Sequence, residues 1–234
     1  MSKIVWDAVG ERKYETGVKH GVLYPRVGNA YPNGVGWNGL TSVDISPEGG
    51  EANDIWADDT KYLSLRSKEN CKGTINAYMY PDEFAECDGS KYVVPGVKIG
   101  QQTRKPFGFS FVSTIGNDTE FEDYGFILHL IWGATVSPSQ RTYTTINDNP
   151  EASELSWEFD TTPVEIGAID GIDETFKPLA HMEIYSTDFT ETAAKAKLDA
   201  LMEVLYGKDP TTAGGSDGVD PRLPMPKEVI EMLM

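Results

Sequence analysis

Residues 126–132 read Phe-Ile-Leu-His-Leu-Ile-Trp, and that order decides what kind of fold can hold them. Phe126, Leu128, Leu130 and Trp132 alternate with Ile127, His129 and Ile131, so an extended chain here is apolar on both faces. A strand of that kind lies between two layers. Further on, Leu155, Trp157 and Phe159 alternate with Glu154, Ser156, Glu158 and Asp160, which predicts a strand buried on one side and acidic on the other. Residues 123–164 therefore read as two strands joined by a polar connection, and the expected fold class is mainly β, a sandwich or barrel-like arrangement of strands covered by other elements.

The chain has 234 residues, enough for one large domain that buries roughly 70–75% of its unfolded surface without staples. Cys71 and Cys87 are too few for a disulfide framework and show no CxxC or Cys/His spacing, so reduced thiols are expected. Residues 1–14 carry Lys3, Asp7, Glu11, Arg12 and Lys13 around no apolar core, which does not read as a signal peptide. No run approaches the ~20 apolar residues of a membrane span, and a soluble protein with no membrane partner is expected. The formal net charge of −17 opposes binding to the outside of a polyanion.

Outward from the central strands, residues 1–33 scatter Trp6, Tyr14, Tyr24 and Tyr31 among glycines and prolines, predicting short strands and an arm that packs. Val43 and Ile45 predict a strand after an interruption at Asn38-Gly39. Residues 47–70 read as a long acidic loop, yet it contains Ile55, Trp56 and Tyr62, which suits a segment that docks on something as well as one that folds back. Strands are expected over 74–80, 93–99 and 107–115, the last with Phe107, Phe109 and Phe111 on one face, and a helical turn over 81–87. A short strand over 179–185 precedes one flanking α-helix, about residues 190–206. Asp188 or Thr190 can cap it, Asp188 with Glu191 completing a capping-box pattern, while Ala194, Leu198, Leu201, Met202 and Leu205 form an apolar stripe and Gly207 a stop. The domain is thus drawn at 1–206, with 207–222 as a flexible linker and 223–234 as a C-terminal extension able to form a short helix that needs a partner to order it.

No catalytic motif stands out. His20, His129 and His181 lie in no ligand spacing such as HExxH, so neither a metal nor a cofactor is expected, and His129 reads as a satisfied core histidine. The runs 170–174 and 216–220 lack the frame of a calcium loop. Carboxylates are too abundant for any two to be singled out as an acid/base pair. An enzyme is not expected.

Several longer segments do carry a pattern: Trp6-Asp7-Ala8-Val9-Gly10 with Tyr14-Glu15-Thr16-Gly17-Val18; Tyr31-Pro32-Asn33-Gly34-Val35 through Trp37-Asn38-Gly39-Leu40-Thr41; Ser46-Pro47-Glu48-Gly49-Gly50-Glu51-Ala52-Asn53; Tyr78-Met79-Tyr80-Pro81-Asp82-Glu83-Phe84; residues 101–109; and Asp123-Tyr124-Gly125 through Trp157-Glu158-Phe159 to Thr161-Thr162-Pro163-Val164. Together they resemble the major tail protein, or tail tube protein, of long-tailed bacteriophages and prophages of Gram-positive bacteria, over most of residues 1–206. The resemblance implies a β-sandwich flanked by a helix, hexameric rings stacked into a hollow tube that conducts DNA into the host, and a place in the virion tail after synthesis in the bacterial cytoplasm. It also implies tape measure, distal tail and tail terminator proteins as partners, and no catalysis. Within that frame Glu48, Glu51, Ile55, Trp56, Asp58, Asp59 and Tyr62 are expected to contact the next subunit or ring. The acidic row Glu154, Glu158 and Asp160 is expected to face the lumen, where negative charge keeps DNA from sticking. The competing reading is a carbohydrate-binding β-sandwich module with Trp37, Trp56 and Tyr62 as its platform.

Overall fold

The computed structural model describes residues 3–146, 152–212 and 215–234. In chain order its elements are β1 (Lys13–Pro25), β2 (Val35–Gly36), β3 (Leu40–Glu48), β4 (Ala52–Ala57), β5 (Thr60–Arg66), β6 (Asn70–Ala77), β7 (Lys91–Val94), β8 (Val97–Ile99), β9 (Phe107–Asn117), β10 (Phe121–Val136), β11 (Leu155–Thr161), β12 (His181–Tyr185), α1 (Thr192–Tyr206) and α2 (Pro226–Leu233). The middle of the polar connection between β10 and β11, residues 147–151, lies outside the described residues.

Strand β10 organises the rest. One of its edges pairs with β9 almost throughout, while the other is shared: residues 127–131 pair with β12, and residues 134–136 with β11. The change of partner falls at Gly133, which sits at φ +65; a Cβ there would stand 2.3 Å from the Thr162 carbonyl oxygen. Only glycine combines that backbone with so close an approach. The order β2-β1-β9-β10-β11-β6-β3, with β12 also on β10, makes an eight-stranded antiparallel sheet that bends at Gly133 and, among the described residues, does not close into a barrel.

The bend makes two apolar layers. Ile131, Ala134, Val136, Phe107, Phe109 and Phe111 meet Ile75, Ala77, Trp157 and Phe159 of β6 and β11, with Trp37 and Phe84 wedged between. The aromatic rings meet edge-on, as the ring quadrupole favours: Trp37 lies 5.7 Å from Trp157, and Phe84 lies 5.3 Å from it. On the other face, Leu128, Leu130, Trp132, Tyr24 and Val112 are covered by Leu198, Leu201 and Leu205 of α1 together with Leu223 and Val229. The alternation of 126–132 thus corresponds to a strand sandwiched between a sheet and a helical layer.

Several expectations change. The N-terminal arm does not pack: Ile4, Val5, Trp6 and Val9 are exposed, and β1 is a single long strand with register shifts on either side of Lys19. Residues 47–70 are not a loop but the hairpin β4–β5, and residues 91–99 are a hairpin where one strand was expected. The capping box of α1 is absent, because Asp188 belongs to a preceding 3-10 turn and Glu191 holds the N-cap position without a side-chain bond. Gly207, at φ +82, does end the helix.

The largest change is at the C-terminus. In place of a linker and an extension, Lys208 and Val219 exchange backbone hydrogen bonds and the Gly34 N–H donates to the Pro221 carbonyl. Leu223 bridges to Tyr31, and the Trp132 indole N–H donates to the Pro224 carbonyl at 2.9 Å. Val229 of α2 is fully buried. The partner that orders this helix is the chain's own sheet, whose face α1 alone leaves incompletely covered.

Candidate functional site

With both cores closed, the large apolar side chains left outside become informative, and most lie on three projections. The first is the hairpin β4–β5. β3 leaves the sandwich at Gly49, at φ +94, where a Cβ would stand 2.3 Å from the Lys68 carbonyl oxygen, so the strand pair can turn out of the sheet only with glycine there. The tip is Asp58-Asp59, at φ +50 and +60, closing the Ala57–Thr60 pair in the mirror-image two-residue turn whose twist suits a hairpin. Every residue of both strands is exposed. Ile55 lies opposite Leu63, and Trp56 and Tyr62 are 66% and 71% exposed. The Lys61 ammonium contacts Asp54 at 2.7 Å and holds its carboxyl below the usual range.

Of the residues expected in the subunit contact, Ile55, Trp56, Asp58, Asp59 and Tyr62 come together on this arm. Asp58 and Asp59 make the turn. Glu51 precedes β4, whereas Glu48 ends β3 and pairs with Lys72 on the sandwich face. The sequence reading missed two further projections: the hairpin β7–β8, exposing Tyr92, Val93, Val94, Val97 and Ile99, and residues 4–9. Pro95-Gly96, with Gly96 at φ +84, was the turn signal that marks the former.

The acidic row lies on the outer face of β11, β6 and β3. Trp157 and Phe159 point inward, and Glu154, Glu158 and Asp160 are exposed. Cross-strand register sets Asp160 beside Lys72 and Glu158 beside Thr74, with Asp44 of β3 one strand further on. Asn70 donates to Asp160 Oδ1 at 2.6 Å and Thr41 donates to Glu154. Lys72 is paired with Glu48, so the face is acidic with its cation already engaged. The platform of the carbohydrate reading does not assemble: Trp37 is 4% exposed, inside the core, with its indole N–H donating to the Met79 carbonyl. The structure also brings together His129 and His181, which sequence spacing did not connect, because β10 and β12 are paired. Both cysteines are free.

Among the described residues no helix is long and apolar enough to cross a membrane. Among the described residues, one open groove runs along Lys208, Asp209 and Asp220 and another along His20, Trp37 and Tyr206.

No family model matches this chain, and no curated protein matches it. Among solved structures, a sheath/tube terminator of an extracellular contractile injection system (PVC, extended state) overlaps with a TM-score of 0.30 at 10% identity, over 64% of this chain and 94% of that one. A likeness of that degree carries no argument about what this chain does.

Proposed function

We propose that this chain is a structural subunit that polymerises with copies of itself into six-membered rings, stacked as the tube of a phage tail through which DNA passes without specific binding. The observation that carries the reading is the hairpin β4–β5: an entirely exposed two-stranded arm bearing Ile55, Trp56, Tyr62, Leu63 and Leu65 beside a sandwich whose cores are already closed. A lone hairpin is marginal in water, and clustered exposed aromatics are the signature of a contact surface. The resemblance of residues 1–206 to tail tube proteins supplies the kind of assembly, and an exposed acidic sheet face supplies a surface that would repel DNA phosphates. The proposal assigns no catalytic role. Tape measure, distal tail and tail terminator proteins are the further partners it implies.

The test is negative-stain electron microscopy across a concentration series, for the native chain and for Trp56→Ser/Tyr62→Ser. Two buried aromatic anchors at roughly 2 kcal/mol each would raise the assembly threshold by about 10²–10³-fold. Hollow filaments with six-fold end views in the native protein, and folded monomers in the variant, are expected. A variant that assembles like the native chain would refute the role of the arm. A native chain that binds glycans and never assembles, even on preformed tail initiation complexes, would refute the whole reading.

A further inference from the structure

His129 and Glu183 are direct cross-strand partners in the β10–β12 pair, and His181 lies two residues along β12, so all three project from one face of the sheet. His129 Nδ1 lies 3.2 Å from His181 Nε2, and Glu183 Oε1 lies 3.9 Å from His129 Nδ1. From these distances we propose a zinc site ligated by His129 Nδ1, His181 Nε2 and the Glu183 carboxylate, with solvent as the remaining ligand.

The hydrogen bonding around His129 fixes which of its nitrogens carries the proton. Ser113 has one hydroxyl hydrogen, which goes to the Glu15 carboxylate at 2.6 Å, since an ionised carboxylate can only accept. Ser113 Oγ is then the acceptor in its 2.9 Å contact with His129 Nε2, and that nitrogen must be the N–H. The lone pair of His129 therefore sits on Nδ1, aimed at His181 and Glu183. A histidine whose second nitrogen donates to a hydroxyl–carboxylate chain is arranged as metal-ligating histidines are. Phe111 stacks on the ring at 4.4 Å and fixes its plane.

The ligand side is equally prepared. Tyr185 donates to Glu183 Oε2 at 2.9 Å, leaving Oε1 toward the histidines. Zinc–nitrogen bonds of about 2.0–2.1 Å at a tetrahedral angle place two nitrogens about 3.3–3.4 Å apart, close to the observed 3.2 Å. Glu183, the most exposed of the three, stands 3.9 Å from His129 Nδ1 and within 4.8 Å of His181 Nε2, so its side chain has to move inward to match. His129 is buried, His181 half-buried and Glu183 open to solvent, which provides an entry path. Zinc would replace the hydrogen bond between His129 Nδ1 and His181 Nε2, with the His181 proton moved to its own Nδ1. Two imidazoles and one carboxylate are a donor set that zinc favours over calcium or magnesium.

The experiment is calorimetric titration of the chelator-treated full chain with zinc in excess magnesium, which occupies the many surface carboxylates. One zinc per chain is expected, with cobalt(II) giving the visible bands of a tetrahedral ion. Binding and bands should vanish in His181→Ala, whose fold is checked by circular dichroism. Affinity should fall about 10–100-fold in Ser113→Ala, a positioning change, and stay unchanged in His20→Ala. If His181→Ala does not fold, Glu183→Gln at the exposed ligand replaces it and should weaken binding with the fold intact. No stoichiometric binding, or equal binding in the ligand variants, would overturn the proposal and leave His129 and His181 as a hydrogen-bonded pair.

Discussion

Replacing Leu223 with alanine separates two accounts of the C-terminal segment. Leu223 is 2% exposed, hydrogen-bonds through its N–H to the Tyr31 carbonyl, and packs so closely on Gly108 that a Cβ there would stand 2.4 Å from Leu223 Cδ2. Leu223→Ala removes three buried carbons, about 2.4 kcal/mol at ~0.8 kcal/mol each. Its surroundings include Gly108 of β9 and Trp132 of β10, paired strands that cannot collapse inward, with the Tyr31 ring packed beside them, so a cavity contribution brings the expected loss to about 3 kcal/mol. That is a large part of the stability of an ordinary domain. The assay is urea unfolding followed by tryptophan fluorescence, with Val229→Ala as a second probe of the same layer. A flexible extension would make both changes nearly silent, within about 0.5 kcal/mol. A loss that small at Leu223, with an unchanged slope, would refute the claim that residues 223–234 are a wall of the second core.

If the chain forms the proposed tube, Glu154→Lys, Glu158→Lys and Asp160→Lys together should leave the subunit folded and assembly intact but impair DNA delivery, measured as infectivity of particles carrying the variant; normal infectivity would refute a lumen-facing row. Cys87 is fully buried and its thiol is pushed up to about 12, chiefly by burial, so alkylation of the native protein followed by mass spectrometry should label it only after unfolding, with Cys71 reacting first. Arg222 holds the Glu228 carboxyl below its usual 4.5, so this pair adds stability above that pH and loses it as pH falls through the lowered value. Both side chains are more than a third exposed, which keeps the contribution under about 1 kcal/mol; Glu228→Gln should lower the midpoint slightly at neutral pH and leave it unchanged in strong acid.

What the sequence by itself determined is local and periodic. The double-faced alternation of 126–132 implied a strand between two layers, and Leu128, Leu130 and Trp132 indeed face the helices while Ile131 faces the second sheet. The phenylalanines of 107–111, the stripe of α1 and its stop at Gly207 were equally legible, since each follows from side-chain period or glycine conformation. The exposed side of 154–160 was legible too, although alternation gives a face and not what lies beyond it.

The tertiary structure decided everything that depends on residues far apart in sequence. Trp37 and Trp56 look alike as exposed-aromatic candidates, yet one is locked among Phe84, Phe109 and Trp157 and the other stands exposed on a hairpin strand. Residues 208–234 lack the apolar density of a core segment, and only the vacant area beside α1 on the β10 face makes Leu223 and Val229 part of one. His129 and His181 are separated by 52 positions, and no spacing rule relates them. What joins them is the register of β12 on β10, set where Gly133 lets one strand edge serve two partners. Periodicity reports the direction a side chain takes from its own backbone, whereas contact requires a second segment to arrive there, and that is settled by how the layers close.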